Sequence, residues 1–121
     1  MQEYQIIFYE TANGCSPVLD WIEELREKDS KDSRAQLTQL DSKLKILRKY
    51  GTRAPKDSVE HIDGKIWEIR PGNNRVFLFM WEGSNIVLLH QFRKKGKKAP
   101  PREICKAQKE REDWLGRNRD E

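Results

Sequence analysis

The sequence predicts an α+β domain: a twisted antiparallel β-sheet with two N-terminal helices packed on one face and a C-terminal helix. Three observations predict it. Leu37, Leu40, Leu44 and Leu47 form one apolar stripe at helical spacing. Four short apolar runs between residues 59 and 93 are separated by turn residues, which is the pattern of a meander. Helical and strand-like segments are grouped rather than alternating, so the sheet is not built from βαβ units. A chain of 121 residues suits a single domain, 1–121.

The first run, "YQIIFYE", is β-branched and aromatic and reads as a strand. "TANGCSP" is turn chemistry, and Ser16-Pro17 supplies an N-cap and a proline at the first helical position. Val18, Trp21, Ile22 and Leu25 carry the apolar side of that helix. A polar break, "EKDSKDS", precedes the leucine-striped helix, and Tyr50-Gly51 ends it with a glycine C-cap signal. The runs "VEHID", "GKIWEIR", "NRVFLFMWE" and "NIVLLHQFR" then form the meander, joined at Gly64, "PGNN" and "EGSN". Pro100-Pro101 pins an extended turn and leads into a last helix bearing Ile104, Ala107, Trp114 and Leu115.

Charge is distributed unevenly. The net excess is +4, yet residues 65–102 hold nine basic and only two acidic side chains, Glu68 and Glu82. That one stretch therefore carries 9 − 2 = +7, and the flanking segments are slightly acidic. Solubility does not require such segregation. Cys15 and Cys105 lie in no metal-ligand or redox spacing and read as two structural thiols of a reduced, cytoplasmic protein. No apolar run reaches membrane-spanning length.

Strand alternation assigns faces. Glu68 and Arg70 share one face of their strand, and Arg75 shares a face with Phe77, Phe79 and Trp81. An antiparallel last strand would deliver "RKKGKK", residues 93–98, to the end of the sheet where Arg75 begins. The expected result is a concave cationic surface. Lys and Arg there suit a phosphate backbone, and a neighbouring aromatic such as Phe77 suits an unpaired base. Such a surface also suits RNA cleavage by attack of a ribose 2′-OH on its own 3′-phosphate. That step needs a proton acceptor, cations for the charge on phosphorus and a donor for the leaving oxygen. The sequence has no carboxylate cluster for Mg²⁺, no zinc spacing, no P-loop and no nucleophile elbow. No cofactor is expected. His90 reads as a core histidine and His61 as a surface one. Glu68–Arg70 also reads as a surface ion pair.

The segments "IWEIR", "NRVFLF" and "IVLLHQFRKKGKKAPPREICKA", in that order, resemble the RelE superfamily of toxins from bacterial toxin–antitoxin modules, and more closely the phage-derived HigB-like branch. The resemblance implies a metal-independent endoribonuclease that cuts mRNA on the ribosome. It also implies an antitoxin of the helix-turn-helix HigA type, through which alone the toxin reaches operator DNA. Carried over by position, Arg75 contacts the scissile phosphate, Arg70 is a second basic group, and Lys95 is the transition-state cation. Arg93, Lys94, Lys97 and Lys98 bind RNA. Glu68 stands where some members carry lysine, and serves either as proton acceptor or to orient Arg70. The C-terminal Tyr or His of several branches has no counterpart after Lys98. Two alternatives stay open: a noncatalytic inhibitor that binds RNA or the ribosome, and a gyrase-inhibiting toxin on the same fold.

Overall fold

The computed structural model describes residues 3–55 and 57–118. The elements run β1 (Gln5–Phe8), α1 (Pro17–Lys28), α2 (Lys31–Tyr50), a 3₁₀ turn (Gly51–Arg53), β2 (Val59–Asp63), β3 (Ile66–Ile69), β4 (Asn74–Trp81), β5 (Asn85–Arg93) and α3 (Pro101–Arg117). The expected α+β order is met. No helix among the described residues is long and apolar enough to cross a membrane.

Local chemistry sets the helix ends. Pro17 opens α1, as the sequence predicts. Ser16 occupies the N-cap position, but its hydroxyl donates to the Tyr9 carbonyl at 2.9 Å rather than accepting from the helix. It therefore ties the helix start to the end of β1. At α2 a reciprocal box forms instead. The Ser33 N–H donates to Ser30 Oγ at 3.0 Å, and the Ser30 N–H donates to Ser33 Oγ at 2.8 Å. Gly51 ends α2 at φ 60°, where a Cβ would collide with the Tyr4 ring.

The sheet order is β1-β5-β4-β3-β2. β2 to β5 form the predicted antiparallel meander. The expectation of a wholly antiparallel sheet is corrected at one edge. β1 pairs parallel with β5, Ile6 opposite Ile86, so the sheet is mixed. Three antiparallel steps set β2 opposite in direction to β5, and the α1–α2 segment brings the chain into β2 opposite to β1, so β1 and β5 run together.

Each face of the sheet is covered. Val18, Leu40, Leu44 and Leu47 of α1 and α2 pack on Ile69, Val76, Leu78, Ile86 and Leu88. On the opposite face Ala107 of α3, with Ile104, Trp114 and Leu115, packs on Ile66, Phe77, Phe79, Val87 and Leu89. Trp114 docks α3 against Trp81 edge-on, with ring centroids 5.3 Å apart. The far end of α3 is pinned by Asp113, which accepts from Tyr9 Oη and Arg117 Nη2 at 2.7 Å each.

A bulge interrupts this alternation. Phe77 pairs with His90 but Leu78 pairs with Leu88, so Leu89 is an extra residue in β5. Before it, Ile86 and Leu88 face α1 and α2. After it, His90 and Phe92 face α3. Strict period-2 reading of β5 therefore fails at Leu89.

Candidate functional site

The sequence pattern brings Arg75 to the first turn of β4 and the basic run to the exit of β5. The register joins them. Asn74 lies opposite Arg93, and the Lys94 N–H donates to the Asn73 carbonyl at 2.8 Å, extending the ladder past the strand. Gly96, at φ 126°, then turns the chain back, a conformation that favours glycine.

The result is a pocket of about 360 Å³ between the sheet's α3 face and the β5–α3 loop. Glu68, Arg70 and Arg75 line its floor, and Lys94, Lys95, Lys97 and Lys98 line its wall. Glu60 and His61 of β2 close one side, and Pro100 and Ile104 of α3 close another. Six Lys and Arg side chains thus meet two carboxylates, a local excess of 6 − 2 = +4.

The two arginines differ in state. Arg70 donates from Nε to Glu68 and from Nη2 to Glu60, both at 2.7 Å. Its guanidinium is raised above its ordinary range, chiefly by the hydrogen bond to Glu68. Arg70 is thereby neutralised within the fold. Among the described residues no carboxylate pairs with Arg75. Its Nη1 donates to the Gly72 and Asn74 carbonyls at 3.2 and 2.8 Å, which leaves Nη2 and Nε for a ligand. Burial lowers the Arg75 guanidinium below its ordinary range; the Glu68 carboxylate opposes that shift, and the Arg70 charge adds to it. An unmatched, partly desolvated cation is the condition that an incoming anion relieves.

A buried amide holds Arg75 in place from the other face. Asn74, 1% exposed, donates from Nδ2 to Gln36 of α2 at 2.9 Å and accepts at Oδ1 from Gln91 at 2.7 Å. The start of β4 is thus fixed to α2 and β5 at once.

Of the sequence-predicted residues, Glu68, Arg70, Arg75, Lys94, Lys95, Lys97 and Lys98 line this one pocket. Arg93 does not. It pairs with Asn74, whose side chain faces α2, and strand geometry sends Arg93 to that same face. Phe77 is 0% exposed and packs edge-on against Phe92 and His90, at 5.0 and 5.7 Å between ring centroids. The expectation that Phe77 stacks on a base is corrected: no surface of the ring is open to one. Glu68 is 3% exposed, so its ion pair with Arg70 is sunk into the sheet rather than lying on the surface.

Sequence reasoning missed Glu60. Its signal was present, since pairing "VEHID" with "WEIR" sets Glu60 directly opposite Glu68. His90 is the buried histidine expected, and His61 is exposed, its Nε2 2.7 Å from the Gly64 carbonyl. Cys15 and Cys105 are both free and exposed rather than structural.

A family model described as phage-derived protein Gp49-like (DUF891) matches residues 20–112, well over half of the chain. The match spans most of α1, all of α2, β2 to β5 and most of α3. No curated protein matches the chain.

Proposed function

The chain belongs to the Gp49-like family of phage-derived proteins, a RelE/ParE-like toxin family of toxin–antitoxin systems, and from that premise we propose that it is a HigB-like endoribonuclease toxin acting on mRNA at the ribosome. One observation carries the reading: Arg75 and Lys95 line one pocket from separate parts of the chain, and among the described residues no carboxylate pairs with Arg75.

In this reading Arg75 binds the scissile phosphate through Nη2 and Nε. Lys95 neutralises the charge that develops on phosphorus as the 2′-OH attacks. A preorganised cation of this kind contributes roughly 3 kcal/mol, about two decades in rate. Glu68 orients Arg70, because its carboxylate is buried in the sheet and accepts from Arg70 Nε. Glu60, the more open of the two carboxylates, takes the proton of the ribose hydroxyl. The bond from phosphorus to the 5′-oxygen breaks, leaving a 2′,3′-cyclic phosphate, and water or a lysine ammonium protonates the departing oxygen. Lys94, Lys97 and Lys98 hold the flanking backbone. Arg93 lies off the pocket and adds only to the general positive field.

The family implies an antitoxin partner. In the proposed reading it is a helix-turn-helix protein of HigA type, and the toxin acts in the cytoplasm. The test is induced expression followed by primer extension on translated messages. New 5′ ends inside codons, lost in Arg75→Ala and Lys95→Ala, are expected. Growth arrest with every message intact would overturn the reading.

A second reading has an observation of its own. Both carboxylates of the pocket bond Arg70, so a blocker that grips RNA without cutting it would use the same cations and need no base. It predicts salt-sensitive binding and no new RNA ends.

A further inference from the structure

Behind the pocket lies a buried histidine between two glutamates, which the proposed chemistry does not use. His90 is 1% exposed. Its Nδ1 lies 2.6 Å from Glu110 Oε1, and its Nε2 lies 2.9 Å from Glu103 Oε1. Both carboxylates belong to α3, one in its first turn and one near its middle. The other faces of the ring meet Phe77 and Phe92.

The proton count is constrained. A neutral imidazole has one N–H and one lone pair, whereas an ionised carboxylate only accepts. Two ionised carboxylates on opposite edges of one ring need two ring donors; a neutral ring would need one of the two carboxyls protonated so that it could donate. We propose that His90 is an imidazolium held by Glu103 and Glu110, and that this double clamp is the positioning element that sets the β5–α3 loop and so the wall of the cationic pocket. Because the carboxylates meet opposite edges of the ring, they cannot close on one metal ion. Among the described residues no group of metal-ligating side chains does so.

The link to the pocket is short in sequence and in space. Lys94–Lys98 joins His90's strand to Glu103's helix, and Pro100, Ile104 and Phe92 line the pocket beside it. The β5 bulge is what makes the clamp possible. Without the extra Leu89, strict alternation would turn His90 toward α2. A lysine 1 Å out of place at a reacting phosphate costs roughly 10²-fold in rate. A loop hinged at its α3 end on this trio is therefore a means of fixing Lys95.

The role of the clamp in cleavage rests on the endoribonuclease reading; the protonation and loop geometry do not. The test uses the full chain labelled with ¹⁵N-histidine near neutral pH. Both His90 ring nitrogens are expected to show protonated shifts, and an unprotonated ring nitrogen would overturn the proposal. Glu103→Ala breaks one arm. Glu103→Gln keeps an arm in either ring state, because its amide oxygen accepts from a protonated Nε2 and its amide nitrogen donates to a neutral one. Backbone amide shifts of residues 94–98 should move in Glu103→Ala and return largely to wild-type values in Glu103→Gln. Unmoved loop shifts in a folded Glu103→Ala protein would overturn the positioning role. Cleavage of ribosome-bound message should fall about 10²-fold in Glu103→Ala and recover in Glu103→Gln. A wild-type protein that cuts nothing would sink the nuclease reading alone, since the ring and loop shifts still judge the clamp.

Discussion

Glu60 and Glu68 lie directly opposite each other on neighbouring strands, and one guanidinium, that of Arg70, bonds both at 2.7 Å. Like charges paired across a sheet repel, so the pair stands only because Arg70 bridges it. That relationship divides the labour in the pocket. Arg70 is held by the fold, and Arg75 is left for an anion.

Removing the bridge should cost stability. Arg70→Ala leaves Glu68 buried against Glu60 with no hydrogen-bonded counter-charge. Breaking a fully buried pair costs roughly 3–5 kcal/mol, but Arg70 is more than a third exposed and water screens part of that. The expected loss is about 1–2 kcal/mol by urea denaturation. A double variant, Arg70→Ala with Glu68→Gln, should recover part of it.

Phe77 tests the division between core and interface. Phe77→Ala should destabilise by about 3–5 kcal/mol, since it empties a fully buried ring site. Phe77→Leu should cost far less and leave RNA affinity near wild type. Weakened RNA binding by a stably folded Phe77→Leu protein would mean that the ring contacts nucleic acid after all.

Glu60→Gln separates the two carboxylates. The substitution keeps the shape and a hydrogen-bond acceptor for Arg70 but removes the proposed base. Single-turnover cleavage should fall about 10²-fold with the melting temperature little changed. An unchanged rate would remove Glu60 from the chemistry.

The Tyr9 phenol is pushed up to about 12, chiefly by burial and then by its hydrogen bond to Asp113. In the unfolded chain the phenol titrates at its ordinary value of 10.0. A raised acid favours its protonated form in the fold. Its stabilisation is therefore fully present below pH about 10 and disappears as pH rises to about 12. Wild type should exceed Tyr9→Phe by about 1 kcal/mol at pH 9. That margin should vanish by pH about 12, as measured by denaturation at each pH.

Most of the fold was legible because its signals are local. The α2 stripe, Pro17, Pro101 and the turns at Gly64, "PGNN" and "EGSN" all mark element boundaries within a residue or two of those observed. The same alternation that assigned faces on β3 and β4 brought Glu68, Arg70 and Arg75 together. What stayed hidden depends on long-range pairing. The parallel β1–β5 edge follows from chain reversals summed over the whole domain. The bulge at Leu89 leaves no mark in "IVLLHQ", a run apolar enough to fit either face. With the bulge unseen, the bonds from His90 to Glu103 and Glu110 could not be foreseen.

The proposed mechanism requires that Arg75 and Lys95 address one phosphate. A double-mutant cycle on single-turnover cleavage of ribosome-bound mRNA measures this. The account predicts that Arg75→Ala and Lys95→Ala each lose about 10²-fold, and that the double variant loses clearly less than the product of the two. Losses that multiply independently, or a single variant that cuts as fast as wild type, would contradict it.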